Sequence, residues 1–394
     1  MADAPIAGGD LQRLRQLNSL TVLRALRAAG SVTAAMLAER TGLSRASTLD
    51  VIQGLVDQGW VRARPPQPGA KGRPARRYDF RADAGHVLGL DVGIYKVLAT
   101  VSDLAGTIVG RARVDGLRRT TPIAERLSSV DDAVDRCLVD AGLVRADVWT
   151  VAVGTTGVVS NDGKMMLVAA LPRWAEVDIA AHLHRRFPCP VLVANDSKLA
   201  ALGEHRRGVA QGAKDVVYLH IGRRAGAALI IDGRLHQGFS GAAGEVHLLD
   251  VMRWRTATKH LTDCPIVPKR ASAEDVARMV FDAARAGDAS ARTAVGRYAA
   301  DIAVGTAAMV LTLDPELVVL GGGFSRSGDV LLGPLRQALE PLCIRLPELR
   351  VSVLGDECVV VGASCHALDY LDGELFGADG PADAVPPPRR STRR

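Results

Sequence analysis

Three polar side chains between residues 191 and 250 could bind or activate a hydroxyl group. Asn195 and Asp196 follow the apolar run 191–194, and Glu245 follows the small-residue segment 241–244. A carboxylate can accept a hydrogen bond from a sugar hydroxyl, or remove its proton during phosphoryl transfer. These residues therefore predict a sugar-binding pocket or part of a kinase active site.

Structural roles remain open for the same side chains. Asp196 could cap the helix predicted over 198–207, and Glu245 could pair with Arg223 or Arg234. His247 is a further candidate for contact with the ligand, although it could equally be an ordinary surface or core histidine.

Composition limits the class of protein. The chain has 394 residues, 48% of them hydrophobic, which is enough for two or three domains. No apolar run approaches the twenty residues of a membrane span, and we read no signal peptide at the N-terminus. The six cysteines are scattered without a CxxC pair, as in reduced cytoplasmic proteins. We therefore expect a cytoplasmic protein without a membrane segment.

The positive charge is concentrated at one end of the chain. Residues 1–82 contain 13 Lys or Arg and 6 Asp or Glu, a net charge of +7, whereas the whole chain carries +6. A basic end on a nearly neutral body indicates a module that binds nucleic acid.

The basic end has the pattern of a winged helix-turn-helix. Apolar residues at helical spacing predict helices over 12–29 and 34–40, and Gly42 provides the turn before a third helix. Two short strands follow, separated by a loop rich in Pro and Gly. The predicted DNA-binding domain is 12–80, with its wing or linker at 65–76. A plain protein-interaction bundle of three helices is the alternative.

The third helix and the wing supply the predicted DNA contacts. Exposed donors and acceptors on the helix could read base edges in the major groove, and basic residues of the wing could lie in a minor groove. Thr48 also shares the face of the third helix that we expect to be buried, and the basic wing residues could be a solvated linker. The predicted set is Ser44, Arg45, Ser47, Thr48, Gln53, Lys71 and Arg73.

The rest of the chain predicts a duplicated body. Clusters of strands followed by αβα segments occur twice, which predicts two α/β lobes with a cleft between them over 86–371. The basic tail 376–394 is rich in Pro and Arg, and we expect it to be disordered. The fold class is therefore α+β and α/β.

Several motifs along the chain resemble those of the ROK family (repressors, open reading frames and sugar kinases). Their order and spacing carry the resemblance, which covers most of the chain. The segments are TGLSRAS, GRPARRY, LGLDVGIYKVLATVSDLAG, VAVGTTGVV, VANDSKLAALGE, GAAGEV and LVVLGGGFSRSGDVLLGPLR. The resemblance implies a two-lobed, actin-like ATPase fold, usually dimeric, with a sugar or sugar derivative in the cleft. It gives Asp196 the place of the catalytic aspartate, and Asn195 and Glu245 the places of sugar-binding residues.

The chain departs from the pattern of the family's kinases at the phosphate-binding turns. Ile94 and Tyr95 replace the second Gly and the Thr of the Asp-x-Gly-Gly-Thr turn, and Arg223 and Arg224 interrupt the second Gly-rich turn. A β-branched residue disfavours the conformation that Gly allows, and a Tyr fills the space for a phosphate.

The zinc-binding part of the family pattern is also changed. Leu248 takes the place of the family's histidine, and His247 comes one residue early. The cysteine motif of the zinc site is missing, since residues 251–270 offer only His260 and Cys264. We expect neither zinc nor another cofactor, because a structural zinc needs four ligands.

The sequence thus predicts a transcriptional regulator, most simply a repressor, with a catalytically inactive kinase-like domain. A homodimer or dimer of dimers would bind double-stranded operator DNA and respond to a sugar held by Asn195, Asp196, Glu245 and His247. Two alternatives stay open: an active ATP-dependent sugar kinase with an accessory DNA module, and a regulator that binds DNA independently of any ligand.

Overall fold

A computed structural model describes residues 11–65, 75–168, 170–271 and 273–376. The described residues form an N-terminal winged helix and a body of two α/β lobes. The predicted domain limits remain predictions. Most of the wing loop, and the tail beyond Phe376, lie outside the described residues.

The winged helix consists of three helices and a small antiparallel sheet. Thr33 caps α2 by accepting from the Met36 amide at 3.3 Å, and Gly42 ends that helix at φ +71°. Ser44 caps α3 by accepting from the Ser47 amide at 3.1 Å. These caps separate α2 from α3 and make the predicted helix-turn-helix. The elements are α1 (Leu11–Ala29), β1 (Val32–Thr33), α2 (Ala34–Thr41), α3 (Arg45–Asp57), β2 (Val61–Arg64) and β3 (Arg77–Phe80), with sheet order β1-β3-β2.

The first lobe contains a five-stranded sheet with helices against it. Three antiparallel strands are followed by two that add in parallel, giving the order β10-β7-β4-β5-β6. The elements are β4 (His86–Val92), β5 (Lys96–Asp103), β6 (Ile108–Asp115), α4 (Ile123–Ala141), β7 (Val148–Thr155), β8 (Val158–Val159), β9 (Met165–Leu167), α5 (Ile179–His184) and β10 (Val191–Asn195). The short hairpin β8–β9 is not in the sequence prediction.

The second lobe repeats this topology. Its sheet has the order β13-β12-β11-β14-β15, with three antiparallel strands first and two parallel strands after them. The elements are α6 (Asp196–Arg207), β11 (Val216–Ile221), β12 (Ala225–Ile231), β13 (Arg234–His236), α7 (Lys259–Thr262), α8 (Ala273–Arg285), α9 (Ala289–Leu313), β14 (Leu317–Gly321), α10 (Gly328–Leu339), β15 (Glu348–Val351) and α11 (Cys358–Phe376). The duplication inferred from the sequence is therefore present in the fold.

Helices α6 and α11 pack on each other and connect the lobes. Helix α11 contacts β4, β5 and β7 of the first lobe, and α6 contacts β11 and β12 of the second. Helix α9 is long and apolar enough to cross a membrane by length and composition, but 61% of its apolar window is buried inside the protein. It packs against α7, α8 and α10 as a core helix.

The winged helix packs directly on the first lobe. The Trp60 ring stacks on Phe80, with centroids 6.4 Å apart, and meets Trp149 edge-on at 5.9 Å. At Gly85, a Cβ would lie 2.5 Å from ring atoms of Trp149, so only glycine allows this approach. An ion pair between Arg27 of α1 and Asp372 of α11 makes a second connection. The winged helix is thus held on the body by packing as well as by the chain connection.

Candidate functional site

The junction of β10 and α6 positions two of the predicted ligand-binding residues. Asn195 is the N-cap of α6: its Oδ1 accepts from the Lys198 amide at 3.1 Å, while its Nδ2 donates to the Gly157 carbonyl at 2.9 Å. Asp196 is the first residue of the helix, so the cap is Asn195, one residue before the position considered from the sequence. The Asp196 carboxylate accepts a hydrogen bond from the Ser197 amide at 2.7 Å, and Asp196 lines the cleft between the lobes.

The cleft between the lobes holds a cavity of about 410 Å³. All four residues predicted to bind an effector line it, so the fold brings together side chains that are up to 52 positions apart in the chain. They are Asn195, Asp196, Glu245 and His247.

Glu245 reaches the cavity from the loop after the β12–β13 hairpin. Its Oε2 lies 3.2 Å from His247 Nδ1, without the geometry of a hydrogen bond. The buried Lys198 donates through Nζ to the carbonyls of Gln237, at 3.4 Å, and Gly241. Lys198 therefore connects α6 to the loop that carries Glu245. The sequence predicts only that Lys198 lies in a helix, so it did not reveal this contact.

A histidine that the sequence analysis missed faces Asp196. His220, near the end of β11, lines the same cavity. Burial lowers the pKa of His220 and raises the pKa of Asp196, while the attraction between the two groups opposes both shifts. The available signal was a polar residue in the otherwise apolar strand Val216–Ile221, immediately before the second Gly-rich turn.

The second altered turn contributes Arg223 and Arg224 to the lining of the cavity, and the first altered turn contacts it. The Tyr95 ring lies under the guanidinium of Arg223, 3.9 Å from ring centroid to Cζ, and the Tyr95 hydroxyl accepts a hydrogen bond from it. Because Tyr95 belongs to the first lobe and Arg223 to the second, this stack connects the two lobes. Both residues belong to the turns that resemble, in sequence, the phosphate-binding turns of the family's kinases.

A buried arginine fixes the first of these turns. Arg126 of α4 is only 2% exposed, and it donates to the carbonyls of Gly93 at 2.6 Å, Ile94 at 3.2 Å and Arg118 at 2.8 Å. Just before the turn, burial raises the pKa of Asp91 to about 7, although Lys96 opposes the shift. The backbone of the turn is therefore held in place by α4.

The region that carries zinc in the family is held by other contacts here. Trp254 is buried and donates through Nε1 to the Ile302 carbonyl at 2.9 Å. His260 Nε2 lies 2.8 Å from Asp301 Oδ2. Cys264 is buried in the same apolar cluster as Trp254. Across the described ranges, no three His, Cys, Asp or Glu side chains are grouped so as to hold a metal ion.

Helix α3 and its N-cap expose most of the residues that are predicted to contact DNA. Ser44, Arg45, Ser47 and Gln53 are exposed, and Gln53 Nε2 donates to Asp57 at 2.8 Å. The prediction that Thr48 contacts DNA is wrong. Its side chain is fully buried and its hydroxyl donates to the Ser44 carbonyl at 2.9 Å, so it cannot reach a base. The wing residues Lys71 and Arg73 lie outside the described residues.

Comparison with known proteins identifies both parts of the architecture. The model of the ROK family matches residues 87–265 and 255–369. The chain belongs to the ROK family. The model of the MarR family matches residues 15–71, which include the helix-turn-helix. The predicted combination of a winged helix and a ROK body is confirmed.

Regulators and kinases of the ROK family both resemble this chain. The xylose repressor of Caldicellulosiruptor bescii is 22% identical over 92% of this chain and 98% of its own length. The glucokinase of Halalkalibacterium halodurans is 28% identical, but the match covers 70% of this chain and 92% of the kinase. In structure, a ROK family transcriptional regulator, a homolog of the E. coli MLC protein, superposes with a TM-score of 0.70 at 19% identity. That superposition covers 93% of this chain and all of the regulator.

Proposed function

We propose that this protein is a sugar-responsive transcriptional repressor. The observation that carries the proposal is a winged helix packed directly on a ROK body whose interlobe cavity retains Asn195, Asp196 and Glu245. The relatives that match along more than 90% of the chain include proteins named as xylose repressors. Xylose is therefore one of the sugars to test.

DNA binding is assigned to the exposed residues of α3. Arg45, Ser47 and Gln53 offer hydrogen-bonding groups for base edges, and Ser44 could contact a phosphate at the N-terminus of the helix. Lys71 and Arg73 are proposed to support binding from the wing. Gln53 would have to exchange its contact with Asp57 for one with a base.

The route from cavity to DNA runs through the first lobe. Strand β7 carries Trp149, which meets Trp60 of the winged helix, and it ends at Thr155, which is paired with Asn195. A ligand that changes the angle between the lobes would thus change the position of α3. Since the coupling is reciprocal, operator DNA would change the affinity for the ligand by the same factor.

We infer that the body is not a working kinase, because Tyr95 and Arg223 replace small residues in turns that resemble the family's phosphate-binding turns, and their side chains contact each other there. We also propose a homodimer or dimer of dimers, acting in the cytoplasm, that places two α3 helices on half-sites about 34 Å apart. Light scattering of the purified protein, alone and with operator, measures the stoichiometry.

The deciding experiment measures DNA binding by the full-length protein. Gel shifts use DNA from upstream of its own gene and of neighbouring genes, with and without a panel of sugars. We expect specific binding that a sugar weakens, and a loss of about 10-fold in Arg45→Ala, since one base contact contributes about 1–3 kcal/mol. Arg136→Gln, an exposed site on α4, serves as the control. A protein that binds none of these DNAs above the nonspecific level would not be this repressor.

A sugar kinase is the second candidate, favoured by one specific observation. Asp196 keeps the place of the family's catalytic base, and burial moves its pKa upward, toward the range of an effective general base. ATP-dependent phosphorylation of a sugar that disappears in Asp196→Asn would establish this activity. Sugar-independent DNA binding, with no sugar stabilising the protein, would instead support a ligand-independent regulator.

A further inference from the structure

The hairpin β8–β9 of the first lobe and the loop 237–245 of the second lobe contact each other beside the cavity. The hairpin lines the cavity through Leu167, and the loop lines it through Glu245. At Gly241, which has φ +86°, a Cβ would lie 2.3 Å from the Val159 carbonyl oxygen, so the two backbones approach closely. The lobes therefore meet at two segments that both belong to the proposed effector site.

One side chain joins these two segments by hydrogen bonds. Asn161, in the turn of the hairpin, donates through Nδ2 to the carbonyls of Gly238, at 3.0 Å, and Phe239, at 3.1 Å. Because both partners are acceptors, only a hydrogen-bond donor fits them, and a carboxylate of the same size would meet two oxygen atoms instead. Asn161 is exposed, so these contacts do not belong to the core of either lobe.

The loop is compact, so that fixing one part of it also restricts the rest. The Ala243 amide donates to the Gln237 carbonyl at 3.2 Å, and the Glu245 amide donates to the Ala242 carbonyl at 3.3 Å. Lys198 of α6 donates to carbonyls of the same loop. The loop thus has one anchor in α6 and another in the hairpin of the first lobe.

The hairpin is itself fixed next to another predicted ligand-binding residue. Asn195 donates to the carbonyl of Gly157, directly before β8, at 2.9 Å. The contacts therefore form a closed series from α6 to the hairpin, from the hairpin to the loop, and from the loop back to α6. This series includes the segments that carry Asn195 and Glu245.

We propose that Asn161 is a positioning residue of the effector site. By joining the hairpin to the loop, it fixes the segment that carries Glu245, so that a hydroxyl of the effector meets a carboxylate that is already in place. The same two hydrogen bonds cross between the lobes, so a change in the lobe angle would alter them. This inference rests on the proposed function and adds a residue that acts on the effector through Glu245.

The test compares variants of the full-length protein. Asn161→Asp replaces the donor by a carboxylate of the same size and makes the hairpin more negative by one charge. Lys164→Gln is the matched control, because it changes the charge of the same hairpin by the same amount at a side chain that is 82% exposed and pairs with Asp162. Asn161→Ala, which removes the donor without adding a charge, is the second variant.

Sugar affinity is measured by calorimetry with xylose and with glucose, at a temperature where every variant is folded. We expect Asn161→Asp to bind the sugar about 10-fold more weakly than the wild type, and Asn161→Ala about 5-fold, because a loop without this anchor must be ordered when the sugar binds. Lys164→Gln should bind within about 2-fold of the wild type. A purely structural role for Asn161 would change the denaturation curve and leave the affinity of the folded protein unchanged.

Hydrogen exchange followed by mass spectrometry tests the loop without any sugar. Peptides that contain the amides of Ala243 and Glu245 should exchange about 5-fold faster in Asn161→Asp than in the wild type, whereas peptides of the winged helix should exchange at the same rate. Faster exchange throughout the protein would indicate global destabilisation and contradict a local role.

The outcomes separate this inference from the proposed function. If the wild type binds a sugar and both Asn161 variants bind it equally well, or if the loop exchanges at the wild-type rate in both, only this inference fails. If Lys164→Gln weakens binding as much as Asn161→Asp does, charge rather than the hydrogen bonds is responsible, and again only this inference fails. If the wild type binds neither these sugars nor any other sugar of the panel, the sugar-responsive function and this inference fail together.

Discussion

The hydroxyl-binding wall of the cavity and the two altered turns keep different parts of the family's residue pattern. The hydroxyl-binding wall consists of Asn195, Asp196 and the loop with Glu245, and the Asn195 side chain is held by hydrogen bonds to Lys198 of α6 and to Gly157. The two altered turns lie at 93–96 and 222–225, where larger side chains replace small ones. Because sugar recognition and use of ATP would depend on different segments, we expect that one can change without the other.

The largest expected effect concerns the support of the altered turn at 93–96. Arg126→Leu would leave the carbonyls of Gly93, Ile94 and Arg118 without their buried donor. We expect the free energy of unfolding to fall by about 5 kcal/mol, since hydrogen bonds to charged groups contribute about 1.5–3 kcal/mol each. Urea denaturation measures it. Arg136→Gln on the same helix is the matched control, with an expected change below about 0.5 kcal/mol. Equal effects in the two variants would show that the turn does not depend on Arg126.

The second prediction uses pH to test the buried carboxyl of Asp91, which comes just before the same turn. Burial raises the pKa of Asp91 from 3.8 to about 7, so the folded protein binds its proton more tightly than the unfolded chain. The stabilising contribution of this group is complete below about pH 4 and is lost as pH rises to about 7. Asp91→Asn should therefore be more stable than the wild type by about 4 kcal/mol at pH 8, with little difference at pH 4. Parallel denaturation curves at the two pH values check it, and an equal effect at both would contradict a raised pKa.

The third prediction concerns the hydroxyl-binding wall. Asn195→Ala removes the cap of α6 and the donor to Gly157. We expect a loss of about 2 kcal/mol in unfolding free energy, about half from each contact. Asn195→Asp should keep the cap but place a carboxylate against the Gly157 carbonyl. Because both ends of the Asn195 amide already have partners, its main role should be to position Asp196. If Asn195→Asp lowers stability but leaves sugar binding unchanged, the result would match this positioning role.

The smallest expected effect isolates the contact between the two altered turns. Tyr95→Phe keeps the ring under Arg223 but loses the hydroxyl, which should cost about 0.5–1 kcal/mol. Combining it with Arg223→Gln in a double-mutant cycle measures the coupling between the lobes. Additive effects would mean that the stack does not hold the cleft, and binding of AMP-PNP by the double variant would show that it blocks the nucleotide side.

Local signals in the sequence were sufficient for much of the fold. The caps and glycines around α2 and α3, and the strand clusters of both lobes, were predicted because each depends on residues close in the chain. The presence of Asn195, Asp196, Glu245 and His247 in one cavity also followed the prediction, since their motifs are short and well spaced.

Long-range partners could not be read from the sequence. Arg126 looks like an ordinary helical arginine, and only the fold places it against the turn at 93–95. His220 and Lys198 gain their positions in the site from contacts with other segments. Thr48 shares a face of α3 with Ile52 and Leu55, and the structure buries that face, so the pattern of apolar residues was sufficient to exclude Thr48 from the DNA contacts.

The contact of Trp60 with Trp149 has a consequence for the engineering of chimeric regulators. Residues at this junction come from both domains, and a Cβ at Gly85 would lie 2.5 Å from the Trp149 ring. A winged helix that is moved to another body without these partners would lose half of the contacts that hold it in place. A functional chimera would need Trp60 and Arg27 in the winged helix and matching partners at positions 149 and 372 of the body. The segment to be exchanged is therefore larger than the winged helix alone.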